Sequence, residues 1–124
     1  MKKFPLAIGA LTIIILIGGI YLFSRNSSEG AYKKPETPEY FWSETCPHCK
    51  NVADFIETWE GKDKFQMNKI EVNSSNENSI RFYQAGSFCK IPRNNLGVPL
   101  LVNTDGKCLQ GDEPIIQFLQ ELDL

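Results

Sequence analysis

Twenty consecutive residues without a charge, Phe4 to Phe23, constrain this chain more than any other feature of it. The run is rich in Ile, Leu, Ala and Gly, and about 20 apolar residues match the hydrocarbon thickness of a bilayer. No polar face interrupts it, as one would in the amphipathic helix of a soluble core. A cleaved signal peptide has a shorter apolar core, about 7–15 residues, and ends at a small-residue site. Tyr21-Leu22-Phe23-Ser24 offers no such site, and no cysteine stands nearby to take a lipid. The run is therefore read as one uncleaved transmembrane helix, with residues 1–25 as a membrane anchor. Lys2 and Lys3 precede it, but Arg25, Lys33 and Lys34 follow closely, so local charge does not decide orientation. The N-terminal position of the run and the cysteine content favour a single-pass protein of the cell membrane. Its N-terminus would be cytoplasmic and the remainder extracytoplasmic.

Residues 26–39 are polar and contain Gly30, Pro35 and Pro38, and read as a linker. Residues 40–124 are left for a folded domain, which is small but sufficient, since domains of about 55–65 residues fold alone. Removing Lys2 and Lys3 from the 13 Lys and Arg leaves 11 against 15 Asp and Glu. The charges are scattered, with no basic patch of the kind that nucleic acid requires.

Within the domain, Tyr40-Phe41-Trp42 suits a buried strand. Ser43-Glu44-Thr45 then favours a helix start. Val52, Phe55, Ile56 and Trp59 share one helical face, with Gly61 expected to end the helix. Residues 65–72 alternate as a second strand. Ser74 and Ser75 can cap a helix carrying Ile80 and Tyr83, which Gly86 would end. Residues 98–102 are apolar enough for a third strand. Asn103-Thr104-Asp105-Gly106 is a turn signal returning Lys107-Cys108-Leu109 as a fourth. Asp112 can cap a last helix with Pro114 in its first turn and Ile115, Leu119 and Leu122 on its apolar face. The order β-α-β-α-β-β-α implies an α/β domain with a mixed sheet.

The chemistry concentrates at Cys46-Pro47-His48-Cys49. Cys46 falls where a strand hands over to a helix, and the free N–H groups and dipole of a helix N-terminus stabilise a thiolate, the reactive form of cysteine. Cys49 lies one turn further on and can resolve a mixed disulfide formed at Cys46. Pro47 fits the first helical turn. His48, the only histidine in the chain, would add positive potential beside Cys46 when protonated. Half of a zinc site is the competing reading of a CxxC pair. Structural zinc sites commonly pair two such knuckles, whereas Cys89 and Cys108 are 19 residues apart and form none. No metal and no organic cofactor is expected.

The segment from Phe41 to Lys50 resembles the active-site segment of the thioredoxin superfamily. Its CPHC tetrapeptide is similar to that of DsbA-type disulfide oxidases and of the thioredoxin-like domains that partner vitamin K epoxide reductase homologues. Gly97-Val98-Pro99 before an apolar strand resembles the loop that faces the CxxC pair in that superfamily. The resemblance covers Tyr40 to Leu122. It implies a four-stranded mixed sheet with helices on both faces, a cis peptide bond before Pro99, and a Val98 backbone presented to a bound substrate chain. Two departures stand out. Tyr40 occupies the place where many thioredoxins carry a buried acid, and the long helical insertion of full DsbA proteins is missing. Trp42, adjacent to the motif, is a candidate for lining a substrate groove, with the core as its alternative place; for Phe41 the core is favoured.

Four cysteines in a small extracytoplasmic domain allow three pairings. With Cys46 and Cys49 as the redox pair, Cys89–Cys108 remains as a structural disulfide. Two buried free thiols, or a second redox relay, are the alternatives. The expected function is that of an extracytoplasmic thiol–disulfide oxidoreductase donating disulfides to secreted proteins. Its partners would be thiol- or disulfide-containing proteins and a membrane redox protein, quinone-linked or like vitamin K epoxide reductase. A reductase or isomerase fed by a membrane electron donor, and a metal-binding or adaptor protein without enzymatic activity, are the competing expectations.

Overall fold

A computed structural model describes residues 3–26 and 31–124 of the chain. Met1 and Lys2 of the expected anchor, and residues 27–30 of the expected linker, lie outside the described residues. The chain divides into two compact units, 1–31 and 32–124.

In the first unit, α1 (Phe4–Asn26) is one uninterrupted helix. Its stretch Phe4–Phe23 is long and apolar enough to cross a membrane. Large apolar side chains such as Leu11, Ile14, Ile17 and Leu22 point outward all around it, as expected of a helix whose surroundings are themselves apolar. Thr12 returns its hydroxyl to the carbonyl of Gly9, 2.9 Å away, so its own donor is paired within the helix.

The second unit is a mixed α/β domain. Its elements are β1 (Glu39–Trp42), α2 (Pro47–Thr58), β2 (Asn68–Glu71), α3 (Asn76–Phe88), β3 (Leu100–Val102), β4 (Cys108–Gln110) and α4 (Asp112–Glu121). The sheet runs β2-β1-β3-β4. β1 pairs parallel with β2 and antiparallel with β3, which pairs antiparallel with β4. Alternation along the strands divides the core in two. Phe41, Leu100 and Val102 face α3 and pack with Phe82, Ala85 and Val72. Tyr40 and Leu101 face the other way and pack with Val52 of α2 and Ile115 and Leu119 of α4. Helices therefore cover both faces of the sheet. Phe41, Leu100, Leu101 and Leu119 are fully buried, each contributing about 1.5–3 kcal/mol by removal from water.

The folded unit begins earlier than the sequence implied. Tyr32, Pro35 and Pro38 are buried, although they fall in the polar stretch read as a linker. Tyr32 packs against Phe88, and its hydroxyl donates to Glu39 Oε2 at 2.6 Å. Glu39 is buried on the central strand and forms a forked pair with Arg81 of α3, Nε to Oε1 at 3.0 Å and Nη2 to Oε1 at 2.5 Å. A buried carboxylate needs such partners. Two of them come from either side of the strand in sequence, so the approach to β1 is tied down.

Helix ends also depart from expectation. α2 stops at Thr58, with Trp59 extended. Gly61 does not cap it; it lies beneath the Trp59 ring, where a Cβ would collide. Ser75 caps α3 by accepting from Asn78 N at 3.1 Å, but the helix continues through Gly86 to Phe88. Gly86 is needed there because the Leu96 side chain presses against it. Asp112 is the first residue of α4 rather than its cap. That position belongs to Gly111, whose φ of 96° suits glycine. Cys89, at the end of α3, and Cys108, on β4, are joined as a disulfide with Cα atoms 5.9 Å apart.

Candidate functional site

Cys46 is the N-cap of α2, with extended backbone (φ −92°, ψ 115°), and Pro47 is the first helical residue. Proline suits this place because its missing N–H has no helical partner to lose. The cap geometry turns the Cys46 sulfur back over the helix end. Cys49 N–H donates to Cys46 Sγ at 3.1 Å, so a helix N-terminus faces the sulfur, the setting that favours negative charge there. Cys46 N–H donates to Ser43 O at 3.2 Å, which tightens the turn between β1 and α2. Ser43 is itself buried and accepts from the Asn73 side chain at 3.0 Å.

Across from α2 stands the Val98–Pro99 peptide, which is cis. Its Val98 carbonyl accepts the Cys46 S–H at 3.6 Å. Pro99 is fully buried, and its carbonyl accepts from Gly111 N at 2.9 Å, which anchors the loop to the start of α4. Gln110 braces the same loop, accepting from Gly97 N at 3.1 Å and donating to Asn95 O at 3.0 Å. Cys46, Cys49, Val98 and Pro99 thus meet in one place, although 52 residues separate Cys46 from Val98.

The two thiols differ sharply in exposure. Cys46 is partly exposed, whereas Cys49 is buried. Burial pushes the Cys49 thiol up to about 12, helped by its hydrogen bond with Cys46 and opposed by the Ser43 backbone. Only Cys46 is open to a partner arriving from solvent.

His48 is exposed, but its Nδ1 lies 3.1 Å from Asp112 Oδ2 in the first turn of α4. Asn51 donates to the same oxygen at 2.7 Å. The sequence assigns Asp112 only a helix cap, and its part at this site shows in the fold alone. The sequence signal is faint: a lone histidine, and an acid 64 residues away. The Asn51 hydrogen bond first, and then His48, hold the Asp112 carboxyl down at about 2, against an ordinary 3.8. A depressed carboxyl stabilises the fold above its ordinary value and loses that contribution as pH falls toward its folded value. Asp112→Asn should therefore be less stable than wild type near pH 6, and the gap should close between about pH 4 and pH 2. Urea midpoints at the two ends of that window would measure it.

Of the other expected residues, Trp42 is half-buried and packs with the Tyr40–Leu101 cluster, and its indole N–H is buried without a partner. Phe41 is wholly core. Cys89 and Cys108 lie apart from this site in their own disulfide. Among the described residues, no group of three or more His, Cys, Asp and Glu side chains is gathered as a metal site would need. A scan of the chain against protein-family models returns no match, and neither does a search of curated proteins.

Proposed function

We propose that this protein is a membrane-anchored, thioredoxin-like thiol–disulfide oxidoreductase acting through Cys46 and Cys49. One observation carries the reading: the partly exposed Cys46 sulfur caps α2 and accepts from Cys49 N–H, while Cys49 is buried behind it. That is a nucleophile and a resolving thiol in one turn of helix. The sheet order β2-β1-β3-β4 with helices on both faces, and the cis Val98–Pro99 peptide opposite Cys46, support the thioredoxin-like reading. The Val98 backbone is then the edge along which a substrate chain would lie, with Trp42 beside it.

In the donor direction, a substrate thiolate attacks Cys46 Sγ of the Cys46–Cys49 disulfide. The S–S bond breaks and Cys49 leaves as a thiolate. A second substrate thiolate then attacks the substrate sulfur of the mixed disulfide, and Cys46 leaves. Two electrons pass from substrate to protein, and a membrane redox partner removes them. Disulfide donation to secreted proteins is favoured because a positive helix end beside Cys46 stabilises the reduced form, while His48 is engaged with the Asp112 carboxylate. The α1 helix serves as the anchor, with the domain on the extracytoplasmic side.

Equilibrating the full chain in detergent against glutathione buffers tests the reading. A reversible Cys46–Cys49 couple at least as oxidising as glutathione supports the donor. A strongly reducing couple makes the protein an electron donor to other disulfides. No reversible couple would remove the enzyme reading in favour of a metal binder or adaptor.

A further inference from the structure

Tyr40 is 5% exposed, and its hydroxyl makes no hydrogen bond of good geometry. An orphaned buried hydroxyl costs about 1–3 kcal/mol, and native structures keep few of them. This one is not in an arbitrary place. Tyr40 lies on the face of β1 that packs against α2 and α4. The groups that bear on its hydroxyl are Cys49, near enough for a loose interaction but not a well-formed hydrogen bond, and Cys46 from α2, and Asp112 from α4. The nearest use for an unspent donor there is the Cys49 sulfur, which is buried and has little water to solvate it.

We infer that the Tyr40 hydroxyl is the hydrogen-bond donor that stabilises the Cys49 thiolate whenever that sulfur leaves or attacks. The inference rests on the oxidoreductase reading and deepens it. Charge is on Cys49 only transiently. It is absent in the disulfide and in the resting thiol, and it develops as the Cys46–Cys49 bond breaks or forms. A buried donor on that face, with no well-formed bond to the resting thiol, acts on the transition state more than on either end state. Tyr40 keeps its own proton throughout, because burial pushes the pKa of its hydroxyl up and the neighbouring thiols and Asp112 push it further the same way. The proton that Cys49 gains when the disulfide opens balances the one the attacking thiol gives up, and closing reverses this. Since the forward and reverse steps share one transition state, the role is the same whichever way electrons flow.

Tyr40→Phe removes the oxygen alone and isolates this effect. The full chain in detergent would be mixed, as the disulfide, with excess reduced glutathione, and formation and loss of the mixed disulfide followed by acid quench and mass spectrometry. A hydrogen bond to a charged sulfur predicts that opening and closing of the Cys46–Cys49 bond both slow by roughly tenfold or more in Y40F. The equilibrium constant against glutathione should stay within about twofold, because neither end state at neutral pH carries the charge. Melting temperature should hold or rise, since an unsatisfied polar group has been deleted. A hydroxyl that is merely core would leave both rates at the wild-type value, and that result overturns the inference. Should Y40F fold poorly, Tyr40→Met makes the same prediction without a ring. If wild-type protein forms no mixed disulfide at all, the oxidoreductase reading falls. If wild type cycles and both variants match it, only the role of Tyr40 falls.

Discussion

Cys46→Ser is expected to abolish disulfide transfer to a reduced peptide, because the Cys46–Cys49 disulfide can no longer form, a loss of roughly a thousandfold or more, as removal of a residue that the whole reaction passes through costs elsewhere. Cys49→Ser should behave differently. It leaves the exposed thiol at the cap of α2 in place, with the Cys49 backbone N–H still aimed at it, but removes the group that resolves a captured partner. Incubated with a small disulfide, C49S should accumulate a stable mixed disulfide at Cys46, visible as a mass increase that dithiothreitol reverses. C46S should accumulate none, because Cys49 is buried and its thiol is held near 12. Equal labelling of the two variants would contradict the division of labour that the geometry implies. Equal, undiminished transfer by both would remove the pair from catalysis.

The second large effect lies away from the site. Cys89 closes α3 and Cys108 opens β4, and their disulfide ties the helix on one face of the sheet to the last strand. It encloses a loop of about 20 residues and should contribute about 3 kcal/mol in the chain-entropy account. Cys89→Ala/Cys108→Ala is expected to lower the melting temperature by on the order of 15 °C for a domain of this size. The Cys46–Cys49 couple should remain, since the two pairs share no residue. A loss of redox cycling in this double variant, under conditions where it is folded, would instead favour the relay reading of the second pair. Calorimetry followed by a glutathione titration separates the outcomes.

Much of this was visible in one dimension because the signals are local. Helix and strand periodicities located the elements in order, since a helix repeats over 3.6 residues and a strand over two. The CxxC spacing put two thiols one turn apart before any fold was considered. The errors are instructive for the same reason. Asn26–Glu39 reads as a linker by composition, yet Tyr32, Pro35 and Pro38 are buried and Glu39 is on the central strand. Its apolar members carry no period, and the partner that makes burial of Glu39 tolerable is Arg81, 42 residues later. Gly61 and Gly86 read as helix ends because that is glycine's commonest local use. Both instead answer to neighbours, Trp59 and Leu96, that press on them.

What the chain determines without its fold is the apolar run that can cross a membrane, the alternation of elements, and the pair of thiols at a helix start. Each follows from residue type and short spacing. The tertiary structure alone decides what surrounds those thiols. It sets the Val98 carbonyl against Cys46, links His48 and Asn51 each to Asp112, and leaves the Tyr40 hydroxyl buried on the face that α2 and α4 cover. The contacts with Val98 and Asp112 join residues more than 50 apart through the crossing of β1, β3 and α4. That with Tyr40 depends on which face of β1 turns toward α2. Neither distance in space nor the choice of face is written in local spacing, and both are settled only when the sheet closes and its two faces are covered.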